Sequence, residues 1–566
     1  MVQLRLLRLV AMTAVALRSR QHLIAWALLL LAFGVRLAFL HATADRIWPY
    51  SCYFKGDALT FIQQASSGEL LESGAPFRPP GVALILAMIW DKTAEGFLWL
   101  RHFWMLLGAL PSPLLYLLCR SSLGERVALI ASSLLALASG PILLGSAVGS
   151  EAPYLVLSVL SVGWLVRLAG PAHWLQFAAF GALQAAACLL RAEHALFLPF
   201  ALLWALWLQK RDNAGSGVWL RAGAALLAFG LALLPWHLYA WSAIDKLNSQ
   251  QQQRVLYSIE WSSKARQRLQ SLPAFAHFGT VRMLEDTVQV RGRSKVEVGD
   301  FAILEEAYDY VPEPLSPYPF LTLYGPLNFY LANHSDGMGG FSRGPLFAKP
   351  PLRGGADAYP AGLDQALPRE LSLSYPPHLR ILNEGYSLGI ATIFDSPGSW
   401  LGVVFEKLTR FWAGAASGLG GYALPIGMSG IRYRVDVVTA VGWWAWTWRL
   451  LVFGICVVGA VRHWRRSEVQ PWLLWIALRV ILVALFFGYV RQGILIAPSV
   501  AILIALTLDG FWSKTLARLS IVVLCIIPVL EVYRYIDKPT LTQDGSEIQG
   551  RDPSANGYQD RRIEVR

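Results

Sequence analysis

The stretch from Gly56 to Gly81, GDALTFIQQASSGELLESGAPFRPPG, puts one carboxylate, Asp57, and one guanidinium, Arg78, into a short loop just after the first long apolar run. A carboxylate can act as a base toward an attacking hydroxyl, and an arginine can grip phosphate oxygens through a planar fork of donors. Each residue also has an ordinary use. Aspartate at the start of a helix caps an orphan backbone N–H, and an arginine before Pro79-Pro80 can anchor in the headgroup layer. Leu59, Ile62 and Ala65 recur at three-residue steps beside Phe61, so Asp57 is expected to begin a short surface helix.

What positions this loop is a membrane scaffold. With 55% hydrophobic residues, 23 Trp and 15% charged residues in 566, and a mean hydropathy of +0.44, the chain is too apolar for a soluble enzyme and reads as a polytopic membrane protein. Runs long enough to cross a hydrocarbon core of about 30 Å fall at 22–41, 96–118, 127–147, 152–169, 173–190, 194–209, 218–241, 437–461, 471–490, 493–511 and 516–533, which makes about eleven spans. The run 81–90 is too short and is expected to lie along the interface. The resulting organisation is an N-terminal transmembrane module, 1–241, with its first outer loop at 42–95; an extracytoplasmic segment, 242–436, ending in a juxtamembrane helix; C-terminal transmembrane helices, 437–533; and a polar tail, 534–566. Within the outer segment, 245–272 reads as helix-like and VQVRGRSKVEV (288–298) as a hairpin around Arg291-Gly292. SPGSWLGVVFEKLTRFW, from Ser396, reads as an amphipathic helix with proline at its first position.

The basic residues support this topology. Arg5, Arg8, Arg18 and Arg20, then Arg120 and Arg126, Arg167, Lys210, Arg211 and Arg221, Arg462, Arg465 and Arg466, and Lys514 and Arg518 all fall on one side, which the positive-inside rule assigns to the cytoplasm. Gathered at the other side are Asp57, Arg78, Arg101, His102, Glu151, Arg191, Glu193, His194 and Arg491. Ionisable groups at membrane depth cost about 2.5–3.5 kcal/mol on insertion scales, so those that do not snorkel to water are paired or functional. Mutual ion pairing is the simplest use of Glu151 and of Arg191-Ala192-Glu193-His194, and Glu193 is the most structural of them. Arg36 and Arg479 lie within spans, and the sequence assigns Arg479 no role.

Several classes of function are excluded. The formal net charge of +12 is scattered singly between apolar runs, so no nucleic-acid partner is expected. Five cysteines have no metal-ligand spacing and offer no disulfide framework. There is no GxxxxGK[ST] loop, no HExxH or CxxC motif and no DxD pair, so neither ATP hydrolysis, a dedicated metal site nor a cofactor is indicated. A donor used on the outer face must bring its own activation, as a lipid-linked phosphate does.

Asp57 after the first span, FRPPG at 77–81, LGERVALIASSLLALASGPILLGSAVGSEAPYLVL at 123–157 and RAEHALFLPF at 191–200 together resemble the GT-C superfamily of membrane glycosyltransferases. The chain looks most like family 39-type transferases, relatives of protein O-mannosyltransferases and the lipid A aminoarabinose transferase. YGPLNFYLANHSDGMGGF (324–341), PGSWLGVVFEKLTRFW (397–412) and YVRQGILIAPSVAILIA (489–505) are similar to the outer-loop, juxtamembrane and late-span motifs of that group. The resemblance implies an all-α polytopic membrane protein of GT-C type with a small mixed extracytoplasmic domain. It also implies a bacterial inner-membrane location with the site facing the periplasm or exterior. By it, Asp57 matches the catalytic carboxylate and Arg78 the basic residue that approaches the donor phosphate. One departure is that relatives often carry a second acid directly after the aspartate, where this chain has Ala58.

The expected reaction is a single displacement with inversion at the sugar carbon. The donor is a polyprenyl-phosphate sugar and the acceptor a hydroxyl on a glycan, lipid or protein. Asp57 serves as base, Arg78 and Arg491 meet the donor phosphate, Arg191 and His194 supply further contacts, and Glu151 supports the substrate site. Glycoside hydrolysis would want a carboxylate pair, for which the loop offers only the distant Glu69 and Glu72. The competing reading is a transporter or flippase of lipid-linked sugars, which would show polar residues through the midplane and paired broken helices.

Overall fold

The computed structural model describes most of residues 20–38, 57–250, 314–334, 371–417 and 443–510, with strands at 254–261, 296–298, 302–310, 422–423 and 438–439. Helices dominate. Those long and apolar enough to cross a membrane are Arg20–Ala38, Trp99–Cys119, Glu151–Leu168, Ala192–Arg211 and Val218–Ser249. Two bent pairs, Glu125–Leu137 with Ser139–Gly145 and His378–Asp395 with Pro397–Ala416, bring the number among the described residues from five up to seven. Their faces bear out the composition: Leu30, Leu203, Trp219, Leu227 and Leu231 are exposed, as suits helices whose solvent is lipid.

About eleven spans were expected from hydropathy, and each expected run from 22–41 to 493–511 does hold helix, while 516–533 and the tail lie outside the described residues. The difference in number has a local cause. Hydropathy sums do not register where a helix breaks or bends. The run 493–511 is divided between Val490–Ile494 and Ala497–Gly510, and the proline at 498 falls in the first turn of the second helix, where a missing N–H costs little. Trp174–Leu190, Gln470–Leu485 and Ala497–Gly510 are apolar but shorter than 18 residues.

One reading of the segment 242–436 is corrected. The region read as helix-like from 245 ends its helix at Ser249 and continues as a strand, Arg254–Trp261. That strand pairs antiparallel with Ala302–Tyr310, which also pairs with Val296–Val298, giving a three-stranded sheet with 302–310 in the middle. Of the hairpin expected at 288–298 around Arg291-Gly292, only Val296–Val298 is among the described residues, and the rest lies outside them. The Pro397–Ser417 helix forms as expected. It follows Pro376–Asp395 across a 110° bend.

Two apolar clusters set the site. The larger runs through the helical bundle and includes Trp104, Tyr116, Tyr154, Phe177, Phe180 and Trp475. The smaller joins Ala75 and Phe77 of the first outer loop to Leu315, Leu323, Leu327 and Tyr330, to Leu379 and Leu382, and to Phe487. It fastens the loop that carries Arg78 against the Tyr324–Asn333 and Pro376–Asp395 helices, which pack on each other.

Candidate active site

Asp57 opens the Asp57–Ser67 helix, as the periodicity predicts. Its carboxylate is shared by two arginines from opposite ends of the chain: Arg78 Nη1 donates to Oδ1 at 2.7 Å and Arg491 Nη1 donates to Oδ2 at 2.8 Å. Both arginines are held by their surroundings. Arg78 also donates from Nε to Glu72 Oε2 at 3.0 Å, and its guanidinium lies 5.3 Å from the Tyr324 ring and 5.8 Å from that of Phe61. The backbone of its loop is closed by paired hydrogen bonds between Glu72 and Ala75, and Leu323 N–H donates to the Pro76 carbonyl. Just beyond, Gly81 lies so close to the carbonyl of Leu189 that an added Cβ would collide with it. The PPG ending of the loop thus lets the Gly81–Ile89 helix dock on the end of Trp174–Leu190.

Arg491 is placed by a backbone-on-backbone contact. The Val490–Ile494 helix presses against Pro397–Ser417, where a Cβ on Gly493 would strike the Phe411 carbonyl and a Cβ on Gly414 would strike that of Val490. Only hydrogen at both positions allows this approach, and it brings the Arg491 guanidinium over the Tyr489 ring at 5.0 Å and onto Asp57.

From Asp57 the charges continue inward. Glu151 Oε1 lies 3.8 Å from Arg491 Nη1 and accepts from Arg191 Nη1 at 3.1 Å. Arg191 also donates to Ser150 Oγ at 3.2 Å and, from Nε, to Glu193 Oε1 at 2.7 Å. Arg479 Nη1 stands 3.5 Å from the same Glu193 oxygen, and its Nη2 donates to the Gln492 side-chain oxygen. Glu72, Arg78, Asp57, Arg491, Glu151, Arg191, Glu193 and Arg479 thus form a ladder of alternating sign. Side-chain exposure along it is 35% at Asp57, 39% at Arg491, 10% at Glu151, 11% at Arg191, 27% at Glu193 and 1% at Arg479. Asp57 and Arg491 are the most exposed members and Arg479 the most buried. A small cavity lined by Gly108, Pro141, Gly145, Leu155 and Ile494 abuts Glu151.

Burial works against the charge on Asp57, but the guanidinium groups of Arg491 and Arg78 outweigh it and hold the carboxyl well below the usual carboxylate range. Asp57 is therefore an ionised, partly open carboxylate between two fixed cations. A phosphate brought to those cations would compete with it for their N–H groups, because a guanidinium fork fits either anion. Among the described residues no group of three or more His, Cys, Asp or Glu side chains is placed to hold a metal ion.

The structure brings Asp57, Arg78, Arg491, Glu151 and Arg191 together. His194 is placed differently: it is 1% exposed, with Nδ1 3.0 Å from the Tyr154 hydroxyl and Nε2 2.6 Å from Gln184 Oε1. With both ring nitrogens engaged in the core, its link to the ladder runs through Tyr154, whose ring lies 5.7 Å from the Arg191 guanidinium. Two members were not singled out from sequence. Glu72, treated there as distant, binds the same guanidinium as Asp57, and its six-residue offset from Arg78 in one closed loop was the available signal. Arg479 was visible as a lone charge inside an apolar run, which is itself a reason to expect partners.

Residues 77–236 match the family model described as dolichyl-phosphate-mannose-protein mannosyltransferase. No curated protein matches the chain. Among solved structures, two of ArnT from Cupriavidus metallidurans are similar. The form bound to undecaprenyl phosphate shows 15% identity over 86% of this chain and 77% of that one, with a TM-score of 0.30. The apo form shows 14% identity over 88% and 78%, with a TM-score of 0.29.

Proposed function

We propose, for a chain whose residues 77–236 belong to the dolichyl-phosphate-mannose-protein mannosyltransferase family of membrane glycosyltransferases, that it moves a sugar from a polyprenyl-phosphate donor to an acceptor hydroxyl on a glycan, lipid or protein with inversion at the sugar carbon. The observation that carries this reading is the shared Asp57 carboxylate, held between Arg78 and Arg491. The two arginines take the donor phosphate, whose oxygens replace those of Asp57. The freed carboxylate then accepts the proton of the acceptor hydroxyl as that oxygen bonds to the sugar carbon. The bond from that carbon to the phosphate oxygen breaks, and the charge left on the polyprenyl phosphate stays on the arginines, which bind it more strongly as it develops. Glu151 and Arg191 support Arg491 from behind. The site faces the outer side of a bacterial inner membrane, by the Lys/Arg bias of the loops.

The test uses the purified full chain in lipid nanodiscs with a polyprenyl-phosphate sugar and, in turn, glycan, lipid and protein fractions of the membrane. Sugar should appear on one fraction with the opposite anomeric configuration and an equal yield of polyprenyl phosphate. Movement of intact donor across the bilayer with no transfer would favour the transporter reading instead. Cysteine labelling that found positions 57 and 465 on one side would sink the proposed orientation.

A further inference from the structure

We infer that Arg479 is a positioning residue for the phosphate-binding Arg491, fixing its separation from the supporting Arg191 from inside the bundle. The inference rests on the reading of Arg491 as a donor-phosphate ligand. Arg479 sits on the Gln470–Leu485 helix among the buried Trp475, Leu478, Leu482 and Val483, and is 1% exposed. Packing alone does not call for a guanidinium there, since a charged residue at such depth costs about 2.5–3.5 kcal/mol on insertion scales. Its contacts show what it does. One arm reaches Glu193, two residues after Arg191, and the other reaches Gln492, the residue after Arg491. Arg191 and Arg491 in turn both direct Nη1 to one oxygen of Glu151.

The interactions therefore close a ring: Glu151 to Arg191, Arg191 to Glu193, Glu193 to Arg479, Arg479 through Gln492 to the Val490–Ile494 helix, and Arg491 back to Glu151. A five-residue helix has little rigidity of its own, having scarcely one turn of internal hydrogen bonds. Gly493 secures it from one side, against Phe411, and Gln492 from the other, against Arg479. A planar guanidinium can serve two acceptors at a fixed spacing, and the Trp475 ring 5.8 Å away helps to hold its plane.

The plainer account is that Arg479 only neutralises Glu193. Two variants separate the accounts, because each keeps a positive charge beside Glu193: Arg479→Lys, which loses the two-armed reach, and Gln492→Leu, which cuts the tether to the short helix and leaves the ion pair intact. Binding of a polyprenyl phosphate to the detergent-purified full chain is measured for both, with melting temperature to confirm folding. Positioning predicts about ten-fold weaker binding in folded Gln492→Leu, the lower range for losing an outer-shell partner. It also predicts a rise in KM for donor larger than the fall in kcat, and no rescue by lysine. Wild-type affinity in folded Gln492→Leu, or in folded Arg479→Lys, would overturn it. Failure of the wild-type chain to bind any polyprenyl phosphate is a different result, since it removes the phosphate reading on which the inference stands.

Discussion

Asp57→Asn is the most informative single change, because the structure separates what it removes from what it keeps. Asparagine has nearly the same shape and begins a helix about as well as aspartate, so the Asp57–Ser67 helix should persist. What disappears is the negative charge lying 2.7 Å and 2.8 Å from two guanidinium groups, together with the proton acceptor. Loss of a general base lowers transfer by at least about 10²-fold, or about 2.7 kcal/mol of transition-state stabilisation. Binding should move the other way. With the competing carboxylate gone, Arg78 and Arg491 are left with two positive charges and no shared anion, so affinity for polyprenyl phosphate should hold or rise. The assay is steady-state transfer beside direct binding of the polyprenyl phosphate, with melting temperature as the folding control. Wild-type turnover in the Asn variant would refute the base assignment. Loss of binding along with melting would instead make Asp57 a structural tie. A pH series adds a check on sign. The folded-state value of Asp57 is depressed, so its stabilisation is present above the unfolded value of about 3.9 and is lost as pH falls through the folded value. The melting difference between wild type and Asp57→Asn should therefore stay level from about pH 8 to about pH 5 and shrink only below about pH 4.

Arg78→Lys should retain part of the transfer rate and Arg78→Ala should lose donor binding along with it, because one guanidinium serves Asp57 and Glu72 from separate nitrogens and an ammonium is only a point charge. Equal rates for the two variants would argue against a phosphate role. Gly493→Ala should destabilise the chain by about 1–3 kcal/mol, the usual cost of overpacking, and should displace Arg491, lowering donor affinity even where the protein still folds; unchanged melting and binding would show that the contact with Phe411 gives way easily. Transfer should tolerate EDTA, since arginines supply the positive charge at the leaving phosphate. Activity abolished by chelation and restored by a divalent cation would mean that Glu151 or Glu72 is a metal ligand.

Sequence alone determined the class of this protein, because lipid solvent leaves a signature in composition that no packing detail can alter: apolar runs separated by connections of alternating basicity. It also marked Asp57, Arg78, Glu151, Arg191 and Arg491, since charged residues at the ends of such runs are costly enough to demand a reason. Which of them meet was decided only by tertiary structure. Arg491 reaches Asp57 across 434 positions of chain because Gly493 and Gly414 let two backbones touch, and no local pattern encodes which carbonyl a glycine will face. His194 shows the converse. Its place beside Arg191 in sequence suggested a shared ligand, but the turn Ala192–Leu196 sends the two side chains to different partners, Arg191 to Glu151 and His194 to Tyr154 and Gln184. Three positions apart, the two would share a face of a regular helix, but Arg191 is the extended residue ahead of the turn (φ −149°, ψ 109°), so closeness along the chain leaves their partners to the helices that pack around them.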